Sequence, residues 1–319
     1  FLFALFVIAT GLSFLETGAN PFIATLGDPH ESERRLNLAQ AFNPFGAIAG
    51  ALIGTLFIFS GIEHSKEQLA AMAPADKEMY LATETMRVVQ PYMILGLVVL
   101  AWAVLLALTK FPKTAEETAS DGGGEKGSFG QLFRHGHFVQ GVLAQFLYVG
   151  AQVGTWSFFI QYVQDNTGRD EKAAGYFLTG TLVAFLFGRF FGTWVMKYVR
   201  PGALMGWFAL VNVLFVGIGV AMPSEFGMWC VFLTSFFMSV MFPTIFALGI
   251  KGLGPNTKIG GSMIVMAIIG GAALTPIMGL ISDRTHSIAL AYVVPLVCYI
   301  YVAYYGFVGS RVRSAAATC

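Results

Sequence analysis

The chain has 319 residues, of which 56% are hydrophobic and 12% charged, and its formal net charge is +1. A soluble domain carries about 25% charged residues, so this composition excludes an ordinary soluble protein and predicts an all-α polytopic membrane protein. The absence of a basic patch argues against nucleic acid as a partner. The three cysteines show no metal-ligand spacing, so we predict neither a metal site nor a disulfide framework.

Apolar stretches of about 20 residues or more predict transmembrane helices. Nine are present, at 3–26, 38–62, 90–110, 137–163, 173–197, 202–222, 226–250, 259–282 and 287–309. The polar, Gly-rich sequence TAEETASDGGGEKGS separates the first three from the last six and predicts a flexible linker. We therefore expect a three-helix region 1–111, a linker 112–135, a six-helix bundle 136–310 and a tail 311–319. Because the chain begins inside an apolar stretch, we expect that three further helices precede it in the natural protein.

The connections between the spans differ in positive charge, with twelve Lys and Arg in one alternate set and six in the other. The positive-inside rule places the richer set in the cytoplasm. The first span then runs from outside to inside, and the carboxyl terminus is cytoplasmic. The richer set comprises Arg34, Arg35, Lys110, Lys113, Lys126, Arg134, Lys197, Arg200, Lys251, Lys258, Arg311 and Arg313. The poorer set comprises Lys66, Lys77, Arg87, Arg169, Lys172 and Arg284.

Glu16 lies in the middle of the first apolar stretch. An ionisable side chain at membrane depth costs about 2.5–3.5 kcal/mol on insertion scales, and it is retained where it faces a polar cavity, pairs with another group or carries a proton. Gly18 and Pro21 follow it and predict that the helical backbone opens there. Together these residues predict a transport site in which Glu16 exchanges a proton, because low-dielectric surroundings disfavour its charged form.

Three amides at the start of the second span, Asn37, Gln40 and Asn43, are spaced by three and are predicted to share one helical face. Amides can bind sugar hydroxyls, although they also join packed helices. Beside Glu16, the binding role is favoured. Gly46 and Gly50 follow at an interval of four, which predicts close helix packing rather than a binding site.

The fourth span carries a polar and aromatic stripe in which Gln145, Tyr148, Gln152 and Trp156 follow at steps of three, four and four. Sugars present both hydroxyls and apolar CH faces, so amides and aromatic rings suit a sugar pocket. An interfacial anchor is the alternative for Trp156. Arg189 lies within a predicted span, where it could snorkel to the interface or donate to carbonyls and support a gate. A structural role is favoured, and Gly188 and Gly192 beside it predict close packing.

Several motifs resemble the fucose permease family of proton-coupled sugar symporters in the major facilitator superfamily. They are FLETGANPFIATLG, RLNLAQAFNPFGAI, LTKFP, AQFLYVGAQ, YFLTGT, GRFFGTW, FPTIFALGIKGLG and IVMAIIGGAALTPIMGLISD. The resemblance implies the major facilitator fold with nine of its twelve helices present, helices four to twelve. It also implies two bundles that rock about a central cavity to give alternating access.

The resemblance implies roles for particular residues. Glu16 matches the family's proton-coupling Glu, and Asn20 lies in the same motif as a candidate sugar ligand. The cavity amides match Gln40 and Asn43, and the stripe from Gln145 to Trp156 matches the family's seventh helix. At Phe242 the chain departs from a family Tyr, which leaves L-fucose, glucose, galactose or an N-acetylated amino sugar as alternatives.

The expected protein is a monomeric sugar:proton symporter of the cell inner membrane, with the lipid bilayer and a small sugar as its partners and no cofactor besides the proton. Two other readings stay open. An intramembrane enzyme could use Glu16 as general acid or base, but it needs a second titratable or metal-binding group at similar depth, which the sequence does not offer. The second alternative is that the chain is a truncated remnant that does not transport by itself.

Overall fold

The computed structural model describes residues 2–53, 71–111 and 128–312, and every regular element in these ranges is a helix. This confirms the all-α prediction. Some predictions fall outside the described residues, namely those on the end of the second predicted span, on Lys66, Lys113, Lys126, Arg313 and Cys319, and on most of the linker 112–135 and of the tail 311–319.

The α-helices of the described residues are numbered in chain order. They are α1 (Leu2–Thr25), α2 (Ser32–Gln40), α3 (Asn43–Ile53), α4 (Pro74–Leu108), α5 (Phe129–Leu132), α6 (Gly136–Thr167), α7 (Glu171–Val195), α8 (Pro201–Ala221), α9 (Glu225–Met238), α10 (Met241–Ile250), α11 (Thr257–Met266), α12 (Gly270–Thr285), α13 (Ile288–Ala291) and α14 (Val293–Tyr304). A π-helical turn, Tyr305–Gly309, follows α14.

Six helical stretches in the described ranges are long and apolar enough to cross a membrane. They are Pro74–Leu108, Ala173–Val195, Pro201–Ala221, Glu225–Ile250, Gly254–Thr285 and Ile288–Gly309. In addition, α1 has 24 residues and α6 has 32, both above the ~20 residues that a membrane-spanning helix needs. These helices are those of a multi-pass membrane protein.

The helix α4 begins at Pro74, well before the predicted span at 90–110. Proline suits the first turn of a helix because its fixed φ is already helical and its missing N–H has no intrahelical partner there. Lys77 and Arg87, which were predicted to lie in a connection, are therefore helical. The hydropathy pattern marked only the apolar half of this helix.

Several predicted spans are interrupted in the structure. The second is broken between Gln40 and Asn43, and the span 226–250 is broken at Ser239 and Val240. Conversely, α1 continues through Pro21, so the predicted opening of its backbone beside Glu16 is wrong. Proline removes a single hydrogen bond, and a transmembrane helix tolerates this loss where neighbouring groups take up the freed carbonyl.

The chain divides into two compact units, one of residues 1–44 with 114–319 and the other of residues 45–113. In the first unit α6 is central, since it packs against α7, α9, α10, α12 and α14. In the second unit, the most apolar window of α4 has no buried residue. The predicted domain boundaries stay a prediction.

Buried tyrosines form much of the core around α6. Tyr148 and Tyr162 on α6 and Tyr292 and Tyr299 near the end of the chain are all fully buried. Their hydroxyls have partners: for example, that of Tyr162 donates to the Gly219 carbonyl at 2.6 Å. An aromatic ring with a satisfied hydroxyl packs well and fixes orientation, so the site described below rests on a rigid scaffold.

A second apolar cluster joins the amino-terminal helices to the carboxy-terminal ones. Ala24 of α1 and Leu36 of α2 pack with Phe138 of α6 and with Phe246 and Ile250 of α10. This cluster lies at the end of the helices that carries Lys251, called the Lys251 end below. It holds α1 and α2 against α6 and α10 within the first unit.

Candidate transport site

Glu16 begins a chain of hydrogen-bonded side chains. Asn20, one turn further along α1, donates from Nδ2 to the Glu16 Oε2 at 2.9 Å. Gln40, the last residue of α2, donates from Nε2 to the Asn20 Oδ1 at 2.8 Å. Glu16 is half-buried and Asn20 is 4% exposed. The carboxyl group therefore has the Asn20 amide as a direct partner, and Gln40 in turn bonds to that amide.

The local sequence explains this geometry. Glu16 and Asn20 are four residues apart, so they occupy the same face of α1, and α1 packs against α2. Within the described ranges no Lys, Arg or His forms an ion pair with Glu16. Its carboxylate thus accepts a hydrogen bond from the Asn20 amide and makes no direct contact with a basic side chain of the described residues.

Arg189 of α7 is 3% exposed and holds two helix ends together. Its Nη1 donates to the Gln40 carbonyl and its Nε to the Ser239 carbonyl, both at 2.7 Å. Both carbonyls lie at interruptions, where the last carbonyls of a helix lack an intrahelical donor. The Arg189 Cζ also lies 4.7 Å from the Phe185 ring centroid. Arg189 therefore joins the break between α2 and α3 to the break between α9 and α10.

Two residues of the predicted aromatic stripe use their polar groups on α9. The Tyr148 hydroxyl donates to the Met238 carbonyl at 3.0 Å, and the Trp156 Nε1 donates to the Ser235 Oγ at 3.1 Å. Tyr148 is fully buried, whereas Trp156 is partly exposed. Tyr148 is thus placed to support the break after Met238, and Trp156 keeps part of its ring accessible.

The amides of the stripe differ in their surroundings. Gln145 is fully buried, and neither polar atom of its side chain has a hydrogen-bond partner among the described residues. Such groups are costly unless something satisfies them. Gln152, two turns further along α6, is partly exposed. Phe242, also partly exposed, packs against the main core.

The three amides of the second predicted span do not lie on one continuous helix, because the helix is interrupted at Ala41 and Phe42, between Gln40 and Asn43. Asn37 is fully buried, Gln40 is half-buried and Asn43 is exposed. No described atom lies within 4 Å of a Cβ placed at Gly46 or Gly50, so close packing there stays a prediction. At Gly188, by contrast, a Cβ would collide with the Phe236 carbonyl, as the small-residue pattern predicts.

Further polar contacts of α2 were not predicted from the sequence. Asn37 donates from Nδ2 to the Thr244 Oγ1 at 3.0 Å, and the Glu33 Oε1 lies 2.8 Å from the Lys251 Nζ. Glu33, Asn37 and Gln40 follow at steps of four and three, a spacing that marks one face of a helix. A hydropathy window overlooks this polar face, because the helix α2 has only nine residues and several of them are charged.

Comparison with known proteins gives the family. The Major Facilitator Superfamily model matches residues 1–258. The L-fucose-proton symporter of Escherichia coli (strain K12) is 42% identical, over 100% of this chain and 73% of that protein. The glucose/galactose transporter of Brucella abortus (biovar 1, strain 9-941) is 35% identical, over 98% of this chain and 72% of that protein.

A solved structure is also similar. A crystal structure of the transporter FucP in the outward conformation matches with a TM-score of 0.89 and 40% identity, over 98% of this chain and 76% of that one. The chain therefore belongs to the Major Facilitator Superfamily, and its similarity to fucose symporters confirms the family that the sequence motifs predicted. The two relatives named above are transporters, so the enzyme alternative is set aside.

Proposed function

We propose that the protein carries a monosaccharide into the cell together with a proton, by alternating access. The observation that carries this proposal is the chain from Glu16 through Asn20 and Gln40 to Arg189, which links a protonatable group to the junction of two broken helices. Interrupted helices are a common way to build transporter binding sites. The relatives named as an L-fucose-proton symporter and a glucose/galactose transporter support the same substrate class.

In this mechanism Glu16 accepts a proton from outside, which removes a buried charge and allows the carrier to reorient with its sugar. Release of the proton inside restores the charge, which Asn20 then stabilises. Gln152 and Asn43 offer accessible amide groups to the sugar hydroxyls, and Trp156 offers a ring face, whereas Gln145 is fully buried. The proton is the coupling ion, and no other cofactor is required.

The positive-inside rule supports an orientation in which the Lys251 end and the carboxyl terminus face the cytoplasm of a cell inner membrane. The likeness to a transporter solved in the outward conformation supports the proposal that the contacts at this end belong to an outward-facing state. The carrier is proposed to work as a monomer.

The test is a Glu16→Gln variant of the complete gene product. Glutamine keeps the size of the side chain and can still bond to Asn20, but it cannot exchange a proton. We expect uphill, proton-driven accumulation of sugar to be abolished while exchange of labelled for unlabelled sugar across the membrane persists. Both are measured in cells or proteoliposomes with a labelled sugar. Normal accumulation by this variant would refute the carrier role of Glu16.

The identity of the sugar is decided by competition. L-fucose, glucose, galactose and N-acetylglucosamine are each added unlabelled against one labelled sugar that the protein transports. Phe242 offers no hydroxyl to the sugar, so a Phe242→Tyr variant in the same assay measures whether that position selects among them. A shift of preference towards L-fucose is the expected result.

A further inference from the structure

The first turn of α8 contacts the π-helical turn that follows α14. A Cβ placed at Gly202, the second residue of α8, would lie 3.0 Å from the Gly306 carbonyl oxygen. A Cβ placed at Gly306 would lie only 2.7 Å from the Gly202 carbonyl oxygen, so this position has no room for a side chain. Arg200 comes two residues before this contact in α8, and Arg311 comes five residues after it. The chain segments that carry the two arginines are therefore neighbours.

An exposed aromatic pair lies beside this contact. Trp207 of α8 and Phe307 of the π-helical turn meet edge to face, with 5.5 Å between their ring centroids. Trp207 is 61% exposed, although α8 is long and apolar enough to cross a membrane. At 1.5 Å per residue, it lies about 7–8 Å along the helix from Gly202. Its ring is therefore accessible to lipid just inside the end of the helix.

One of the two arginines is held next to the aromatic pair. The Arg311 Nε donates to the Phe307 carbonyl, four residues earlier, at 3.1 Å. This bond uses one of the five N–H donors of the guanidinium. Among the described residues, no contact of the other four is present. Arg311 is exposed, so these donors remain available to a ligand.

The positive charge of this surface is not neutralised within the described ranges. Arg200 and Arg311 are both exposed, and neither forms an ion pair there with a carboxylate. Arg200 also immediately precedes Pro201, the first residue of α8, and no side chain caps the helix there. The free N–H groups of a first helical turn add to a positive potential. This surface therefore attracts an anion.

The position of the surface indicates where such an anion comes from. A Cβ at Gly202 would lie 3.6 Å from Leu248 of α10, and one at Gly252 would lie 3.5 Å from Val312, so both arginines are at the Lys251 end. Tryptophan is enriched where a membrane meets water. Basic pockets between transmembrane helices bind the head groups of anionic lipids. Exposed aromatic rings beside two cations fit a lipid better than a free anion, because a free anion makes no use of the rings.

We propose that Arg200, Arg311, Trp207 and Phe307 form a binding site for an anionic phospholipid in the leaflet at the Lys251 end. We call these four residues the anionic lipid site. The phosphate lies at the two guanidinium groups, each of which can donate paired hydrogen bonds to phosphate oxygens, and an acyl chain lies along the Trp207 ring. The bound lipid joins the first turn of α8 to the end of the last helix. This inference does not depend on which sugar is carried, or on coupling to protons.

The test measures the lipid preference of the complete gene product in mixed micelles. Dibrominated phosphatidylglycerol and dibrominated phosphatidylcholine are compared, because bromine quenches a tryptophan that it contacts. The signal of Trp207 is the difference between the protein and its Trp207→Phe variant. A basic residue at an anionic lipid surface contributes about 1 kcal/mol, which is about fivefold. We therefore expect phosphatidylglycerol to quench Trp207 at a roughly 25-fold lower mole fraction than phosphatidylcholine.

Substitution of the arginines tests their part directly. Arg200→Gln and Arg311→Gln should each reduce the preference for phosphatidylglycerol about fivefold, and the double variant should abolish it. The single variants keep the test decisive should the double variant fail to fold. Replacement of both arginines by Lys keeps the charges and should retain most of the preference. The matched control combines Lys110→Gln with Arg134→Gln, which removes two exposed charges outside the anionic lipid site and should leave the preference unchanged.

Three results would overturn the inference. The first is equal quenching of Trp207 by the two lipids. The second is an equal loss of preference in the control and in the double Arg→Gln variant, because the lipid would then respond only to the overall charge of the protein. The third is displacement of phosphatidylglycerol by sodium phosphate beyond that caused by sodium chloride at equal ionic strength, which would assign the surface to a free anion.

Discussion

At the scale of single residues, the site depends on groups that have few substitutes. Asn20 can donate to the Glu16 carboxylate and accept from Gln40 at the same time, because an amide carries both a donor and an acceptor. A carboxylate or a hydrocarbon side chain at this position could not do both. Asn20 was predicted as a sugar ligand, but in the structure both ends of its amide are used within the protein.

We therefore predict that Asn20→Leu impairs coupling. A hydrogen bond to a charged group contributes about 1.5–3 kcal/mol, and since 1.4 kcal/mol is tenfold, the initial rate of proton-driven uptake should fall by roughly 10- to 100-fold. Exchange of sugar should change less. Asn166→Leu is a matched control, because among the described residues the Asn166 side chain donates only to the Tyr162 carbonyl within α6. Equal losses from the two variants would argue against a special role for Asn20.

At the scale of helices, the interruptions distinguish this fold from a set of regular spans. The break at Ser239 frees carbonyls at the end of α9, and Tyr148 and Arg189 donate to two of them. At the break after Gln40, Arg189 likewise donates a hydrogen bond to the Gln40 carbonyl. Because both breaks depend on one guanidinium, the ends of α2 and α9 are positioned together. Arg35 plays a related part for α1, since it donates to the Ile23 and Ala24 carbonyls.

Arg189→Lys should show that this arrangement needs a guanidinium rather than a positive charge. Lysine presents a compact ammonium that lacks the rigid fork of arginine, so one of the two carbonyls is expected to lose its donor. A buried polar group left unpaired costs about 1–3 kcal/mol, and thermal unfolding in detergent should reveal a loss of that size.

Arg169→Lys serves as the control for Arg189→Lys. It alters an exposed ion pair with Glu225, and such pairs contribute about 0–1 kcal/mol. An unfolding temperature of Arg189→Lys equal to that of the control would contradict the joining role. Arg189→Met, which removes both donors, should be the least stable of the three variants.

At the scale of the whole molecule, proton coupling sets a limit on the work of transport. One elementary charge that moves through 100 mV supplies about 2.3 kcal/mol, which corresponds to roughly fiftyfold accumulation of sugar for a single proton. Addition of a transported sugar to lightly buffered cells should therefore make the medium more alkaline. A protonophore should abolish both the alkalinisation and the accumulation.

The pH measurement also separates transport from hydrolysis, because a hydrolase need not remove protons from the medium. The Glu16→Gln variant provides its control, since it should give no alkalinisation even if it still exchanges sugar. Sugar accumulation without any change in external pH would contradict coupling to protons.

The sequence alone determined the class of the protein and its family, and it located apolar helical stretches without their interruptions or exact ends. Runs of about 20 apolar residues admit few structures in a bilayer other than helices, and the motif around Glu16 is specific. Gly188 was likewise assigned to packing from its spacing alone. These features are local, so one stretch of sequence is enough to show them.

The tertiary structure decided what each polar residue does. Tyr148 and Gln145 occupy the same predicted stripe, yet the hydroxyl of one supports a helix break and the amide of the other is buried without a partner among the described residues. Asn37 and Thr244 are 207 residues apart in sequence, and no local pattern on either segment indicates that they meet. A hydrogen bond depends on distance and direction between two atoms, and for residues far apart along the chain these are fixed only when the helices pack.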